Sequence, residues 1–167
     1  MVLGQPVGDP LDPDFLLVRE NRDSRLDGIE LSGEYLLLDG WSIYGNFSFV
    51  EGFDLEEDEP LSRVNPTQAT LGVRWRDECA ENWIDVFLWM VDKQDKLSAR
   101  DLADTVRIPP GGTPGYTTLN FRYGHALDEH QRLIVNVENV TDKAYRVHGS
   151  GADAPGINLV IGYELVR

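Results

Sequence analysis

Residues 131–167 read QRLIVNVENVTDKAYRVHGSGADAPGINLVIGYELVR, and the fold is decided there. The closing run alternates without a break: Ile157, Leu159, Ile161, Tyr163 and Leu165 point one way, while Asn158, Val160, Gly162 and Glu164 point the other. Successive side chains of a strand face opposite sides, so this run predicts a strand with one apolar face and one mostly polar face. Leu133, Val135 and Val137 repeat the pattern one hairpin earlier.

Working back toward the N-terminus, the same period of two recurs. Strands are expected at about 15–21, 26–37, 41–50, 67–76, 82–94 and 115–126, with a tight polar turn at 22–25. In the run at 67–76, Ala69, Leu71, Val73 and Trp75 alternate with Gln68, Thr70, Gly72 and Arg74. The run at 82–94 is apolar on both sides, with Ile84, Val86, Leu88 and Met90 against Trp83, Phe87 and Trp89. Asp39-Gly40 is a hairpin signal. Ser98-Ala99-Arg100-Asp101 can start a short helix, and the Pro109-Pro110-Gly111-Gly112 cluster ends any regular element. Residues 1–14, with three prolines and two glycines, read as a disordered tail or linker before a domain at 15–167.

The connections alternate in length. Short ones fall at 38–40, 77–81 and 126–130, long ones at 51–66, 95–114 and 142–154. Up-and-down hairpins then collect every long loop at one end and every tight turn at the other, as in an outer-membrane barrel with short periplasmic turns. Glu30, Glu34, Asn46, Gln68, Arg74, Asp85, Asn120, Arg122, Asn136, Glu138, Asn158 and Glu164 share the face opposite the apolar set. A watery or plugged lumen suits that face, and lipid suits the other. Gly72, Gly124 and Gly162 among these charges suggest a wide lumen. Trp41, Trp75, Tyr123 and Tyr163 stand near strand ends on the apolar parity, where an interfacial girdle belongs. The expected fold is therefore all-β: an antiparallel up-and-down meander of about eight strands, a segment of a transmembrane outer-membrane β-barrel.

Composition agrees. Mean hydropathy is -0.32, and no run approaches the roughly 18 apolar residues of a membrane helix. The net charge of -14 argues against nucleic acid as a partner. Acidity is concentrated in Glu51, Asp54, Glu56, Glu57, Asp58 and Glu59, which reads as a solvated loop or as a cation-attracting one. The single cysteine, Cys79, forms no disulfide within the chain. The first residues lack the basic and apolar regions of a signal peptide, so an outer-membrane reading expects Met1 not to be the true start. No catalytic, cofactor-binding or metal-ligating residue stands out: His125, His130 and His148 are scattered, and Gly111-Gly112 lacks the Lys-Ser/Thr of a phosphate loop.

Four stretches carry a family resemblance: 21–31 (NRDSRLDGIEL), 60–75, 115–123, and 136–156, above all NVENVTDKAYR followed by His148-Gly149-Ser150. In this order they resemble the C-terminal part of the barrel of TonB-dependent outer-membrane receptors. The resemblance implies a large plugged barrel that takes up ferric siderophore, cobalamin or a similar scarce nutrient, driven by the TonB complex through an N-terminal region. It implies outer-membrane lipid, the remaining barrel strands and the plug as partners, and no cofactor. Plug and earlier strands are absent from this sequence, and Arg167 stands where such barrels usually end in an aromatic. The expectation is a fragment or truncated product that does not transport alone. The alternatives are a self-contained small outer-membrane barrel or a soluble β-barrel binding a small apolar ligand.

Overall fold

The computed structural model describes residues 2–3 and 19–165, with side chains from residue 21 onward. Two short strands, β1 (Val2–Leu3) and β2 (Arg19–Glu20), pair with each other. The expected strand at 15–21 lies mostly outside the described residues. The part that is seen joins β1 and not the main sheet. The rest of the expected tail at 1–14 also lies outside the described residues.

The main sheet is an antiparallel meander of β3 (Ser24–Leu38), β4 (Trp41–Asp54), β6 (Gln68–Arg76), β7 (Asn82–Val91), β8 (Tyr116–Ala126), β9 (Gln131–Glu138) and β10 (Asn158–Leu165). Its eighth strand is the two-residue β5 (Glu59–Pro60), which pairs with the end of β4. Of the turn expected at 22–25, residues 22–23 lie outside any strand, while Ser24 and Arg25 already belong to β3, where Ser24 faces Asp54. A register shift between Leu36 and Leu38 ends the ladder before the two-residue turn Asp39-Gly40. Gly40 is required there: it is left-handed at φ 78°, and a Cβ would stand 2.2 Å from the Arg76 carbonyl oxygen.

The register sorts the side chains into rows. Tyr35, Ile43, Val73, Val86, Phe121, Val137 and Leu159 form one apolar row across all seven long strands. Leu38, Trp41, Trp75, Ile84, Tyr123, Val135 and Ile161 form the next. The opposite face carries Leu36, Ser42, Arg74, Asp85, Arg122, Asn136 and Val160.

Burial is inverted relative to a water-soluble sandwich, where the apolar face is the covered one. Tyr35 is 70% exposed, Ile161 65%, Leu159 60% and Leu71 50%, all on the apolar face. The most covered strand residues are on the polar face, among them Ser42, Asp85, Thr118 and Asn120. Loops 55–67, 92–115 and 139–157 gather at one end, and turns 39–40, 77–81 and 127–130 at the other. The sheet is open: among the described residues β3 and β10 lie at its two edges and do not pair with each other. No described helix is long and apolar enough to cross a membrane, which leaves spanning strands untouched.

Candidate functional site

The long-loop end is built around one helix, α1 (Ala99–Ala103). Ser98 and Asp101 form a capping box: the Asp101 N–H donates to Ser98 Oγ (3.1 Å), and the Ser98 N–H donates to Asp101 Oδ2 (3.4 Å). Asp101 is 2% exposed and does more than cap. Its Oδ1 accepts from Ser62 Oγ (2.6 Å) and its Oδ2 from the Arg63 N–H (3.3 Å), so one buried carboxylate ties loop 55–67 to loop 92–115. Just beyond the helix, Asp104 Oδ2 accepts from Arg63 Nη2 (3.0 Å) and Arg107 Nη1 (2.9 Å). The hydrogen bond from Arg107, helped by Arg63, holds the Asp104 carboxyl below its ordinary range.

The third loop folds across the other two. Thr113 Oγ1 lies 2.9 Å from His148 Nδ1, and a Cβ built on Gly149 would stand 3.9 Å from the Arg63 stem and one on Gly151 3.2 Å from the Arg107 stem. His148 Nε2 is buried without a hydrogen-bond partner. Burial lowers the His148 pKa; the nearby Asp101 carboxylate opposes that shift and the Arg63 guanidinium reinforces it.

Most of the acidic run takes part in loop ties, while residues 56–58 remain exposed. Asp54 Oδ1 accepts from the Glu56 and Glu57 N–H groups, and its Oδ2 faces Arg22. Glu56 accepts from the Asp23 N–H, Glu59 from the Ala99 N–H, and Glu51 pairs with Lys96. Among the described residues no three His, Cys, Asp or Glu side chains converge as a metal cluster. The histidines stay apart: His125 contacts Asn82 at the short-turn end, His130 sits in turn 127–130, and only His148 reaches the loop junction. A cleft of about 270 Å³ opens between Phe49, Gly52, Leu61, Val64, Gln94 and Lys96. It falls below the ~300–1,000 Å³ of ordinary small-molecule sites.

Below the loops, much of the polar face pairs with itself, although Asn136 Oδ1 is buried without a hydrogen-bond partner. Asp85, 1% exposed, accepts from Tyr44 Oη (2.7 Å) and Arg74 Nη2 (3.2 Å). Arg74 stacks over the Tyr44 ring at 4.7 Å and reaches Glu34, which accepts from Ser42 Oγ. Arg122 lies over the Phe87 ring at 4.6 Å.

These contacts give two of the small residues a local role. Gly72 and Gly124 are floors for aromatic rings. A Cβ at Gly72 would stand 2.4 Å from the Tyr44 ring, and one at Gly124 would stand 2.1 Å from Trp83 Nε1. They also explain why β7 is apolar on both sides. Trp83 covers Gly124, Phe87 carries Arg122, and Trp89 packs edge-on against Tyr116 (5.4 Å) and Tyr145 (6.4 Å). Sequence reasoning missed Tyr145, because its place depends on loop 139–157 folding back over β8 and β7. On the apolar face, Trp41 and Trp75 stand 6.5 Å apart near the short turns. Close by, Tyr123 Oη donates to Asn82 and Tyr163 Oη to Gln131, so both ring tips reach polar groups at that end.

Comparison with known proteins follows this geometry. The family described as "TonB dependent receptor-like, beta-barrel" matches residues 3–140. That span holds three of the four resembling stretches, and of the fourth only residues 136–140. No curated protein matches the sequence. Among solved structures, the copper transporter OprC aligns at a TM-score of 0.73 with 17% identity, over 87% of this chain and 24% of its own. The pyoverdine outer membrane receptor FpvA from Pseudomonas aeruginosa PAO1 aligns at 0.61 with 15% identity, over 95% and 24%. The ferric-catecholate import receptor Fiu from E. coli K12 aligns at 0.54 with 14% identity, over 85% and 21%. At these identities the likeness is one of fold, and the chain spans a quarter or less of the length of these relatives. By the match to more than three quarters of its length, the chain belongs to the TonB-dependent receptor family and represents part of that family's β-barrel.

Proposed function

We propose that this chain is the C-terminal portion of the wall of a bacterial outer-membrane receptor that imports a scarce nutrient. The nutrient is a ferric siderophore, cobalamin or a similar cargo, and the role is transport rather than catalysis. One observation carries the reading: apolar rows run unbroken across seven strands and are exposed or half-exposed, while most of the buried side chains of the strands, Ser42, Asp54, Asp85, Thr118 and Asn120, are polar. Lipid is the solvent in which that arrangement is stable. From Trp41 to Phe49 there are eight steps of ~3.4 Å, about 27 Å along β4, and a tilt of ~40° brings the band to about 21 Å. That is close to the ~25 Å apolar band of outer-membrane barrels.

In this reading the unpaired edges of β3 and β10 join the remaining barrel strands, since open edges of such length invite aggregation. The polar face meets a plug, and the TonB complex acts through a region outside this chain. The long loops face the exterior and meet the cargo first. The relatives' own names differ in cargo — copper, pyoverdine, ferric catecholate — so fold likeness does not choose among them.

The test is cell fractionation combined with uptake. The chain is expected in the outer-membrane fraction, and removing its receptor should abolish energy-dependent accumulation of one member of a panel of labelled ferric chelates and cobalamin. Recovery in the soluble fraction would contradict the proposal.

A further inference from the structure

Loop 139–157 divides into a base and a tip, and the base is fixed at three points. Asn139 Oδ1 accepts from the Lys143 N–H (2.9 Å), and Asn139 Nδ2 donates to the Lys143 carbonyl (2.9 Å). Asp142 Oδ1 accepts from the Ile157 N–H (3.2 Å), which clips the entry of the loop to its exit. The Tyr145 ring is seated 4.3 Å from Tyr116. Beyond Tyr145 the chain supports itself. The Ala154 N–H donates to the Tyr145 carbonyl (2.9 Å), Arg146 Nε to Asp153 Oδ1 (2.8 Å), and the Ser150 N–H to the Val147 carbonyl (3.1 Å). Among the described residues, one hydrogen bond joins this tip, 146–153, to the other loops: the contact of His148 Nδ1 with Thr113 Oγ1 (2.9 Å).

The other two loops are tied far more heavily. Thr113 exchanges both backbone hydrogen bonds with Gln94 (2.9 and 3.0 Å), and Gln94 Nε2 donates to the Val64 carbonyl (2.9 Å). Together with the contacts of Asp101, Asp104 and Glu59, these make loops 55–67 and 92–115 one block. A neutral imidazole suits the point where the tip meets this block, and an imidazolium does not. The protonated ring carries a donor on each nitrogen. Thr113 satisfies Nδ1, but Nε2 is buried without a partner. Asp101, the acid acting on the ring from loop 92–115, is already committed to Ser62, Arg63 and Ser98. Arg63, acting from loop 55–67, adds like charge. Asp104 is taken up by Arg63 and Arg107, and on the tip itself Arg146 and Asp153 neutralise each other. Burial therefore prevails over the pull of Asp101 and keeps the His148 pKa below its ordinary value.

We propose that His148 and Thr113 form a proton-released latch: at neutral pH the tip 146–153 lies locked on the block, and acid frees it to swing about Tyr145 and Ala154 while the block and the loop base hold still. That the outside medium supplies the proton rests on the receptor reading above; the latch itself does not. Release takes up one proton, so between the folded pKa and the ordinary 6.5 the ratio of open to closed tip rises by up to about tenfold per pH unit.

The experiment measures two distances between nitroxide labels by pulsed electron resonance. It uses the receptor barrel that carries this chain, in detergent micelles and again embedded in phospholipid vesicles. The background is free of native cysteine, with Cys79→Ser in this chain. One pair, Ala152→Cys with Thr105→Cys, spans tip and block; the other, Leu55→Cys with Thr105→Cys, lies within the block, and all three positions are exposed. From about pH 7.5 to about pH 5, across the range in which histidine titrates, the first distance should lengthen and its distribution broaden, while the second stays as it was. His148→Gln, neutral throughout, should abolish the response. Thr113→Val, which removes the hydroxyl and nearly keeps the shape, should leave the tip partly open already at the higher pH. The latch is overturned if the first distance is the same at both pH values, if its response survives in His148→Gln, or if both distances change together, which would mean that the whole loop cluster loosens. The micelle measurement decides the latch whether or not the chain spans a membrane, and a barrel that fails to enter vesicles overturns the receptor reading alone.

Discussion

Replacing Leu71 by Arg puts a guanidinium in the middle of the apolar band. Leu71 faces Gly45 on β4, midway between Trp41 and Phe49, and lines up with Leu88 and Leu119 on the other side. It is 50% exposed. If that exposed half faces water, the substitution forfeits part of one side chain's burial and retains the packing of the Arg stem, a cost of about 1 kcal/mol at most. If it faces lipid, the cost is about 2–4 kcal/mol. At 1.36 kcal/mol per factor of ten, that is a roughly 30- to 900-fold loss in the folding equilibrium. Val160 supplies the control, being 46% exposed but on the polar face beside Asn136. Val160→Arg should cost less than about 1 kcal/mol. Guanidinium titration of the vesicle-embedded barrel, followed by tryptophan emission, reads both. The reasoning is refuted if the two variants unfold within about 0.5 kcal/mol of each other.

Three further outcomes follow from the contacts. Gly124→Ala forces Trp83 off its floor, since the new Cβ would stand 2.1 Å from the indole nitrogen; overpacking of this kind costs about 1–3 kcal/mol, and a lowered unfolding midpoint with shifted Trp83 emission is expected. The folded pKa of His148 lies below its ordinary 6.5, so as pH falls the unlatched loop takes up a proton before the latched one does. Latching, strongest above about pH 6.5, should weaken between there and the depressed folded value; the charges facing this ring are Arg63 and Asp101, and Asp104 does not titrate in that window because its own pKa is pushed below 3.8. The protection factors of the Thr113 and Ser150 amides, each referred to the intrinsic exchange rate at its own pH, should fall from pH 7 to pH 5, and His148→Gln should flatten the change. Cys79, exposed in turn 77–81, should resist a membrane-impermeant maleimide on intact cells and react after the outer membrane is permeabilised. A cysteine at the exposed loop position Thr105 (Thr105→Cys, with Cys79→Ser) should react on intact cells.

Much of this fold is legible in the sequence because lipid and lumen impose a strict period of two. Wherever a strand crosses the band, alternation sets its boundaries closely: 67–76 was expected and Gln68–Arg76 is found. Alternation fails where both faces are wet. β4 continues through Glu51 and Gly52 to Asp54, and β3 begins at Ser24, because that hairpin extends beyond the apolar rows and carries no two-sided contrast. The acidic run was expected to begin a loop at 51 for the same reason. The capping box at Ser98 and Asp101 was visible as a local pattern, but the burial of Asp101 under Ser62 and Arg63 was not, since those partners lie some forty residues away. Trp83 and Gly124 were each noticed, one as an unexplained aromatic and the other as a small residue. Only the cross-strand register joins them. Tyr145 stands in the NVENVTDKAYR stretch, but nothing local assigns its ring a place against Trp89 and Tyr116.

The central claim, that the apolar rows face lipid and the polar rows do not, can be read from the four tryptophans. Trp41 and Trp75 lie on the apolar face, Trp83 and Trp89 on the polar face. Quenching by lipids brominated on the acyl chain should be strong in a Trp83→Phe/Trp89→Phe protein, which keeps the first pair. It should be weak in a Trp41→Phe/Trp75→Phe protein, which keeps the second. Equal quenching of the two proteins, or stronger quenching of Trp83 and Trp89, would contradict the account.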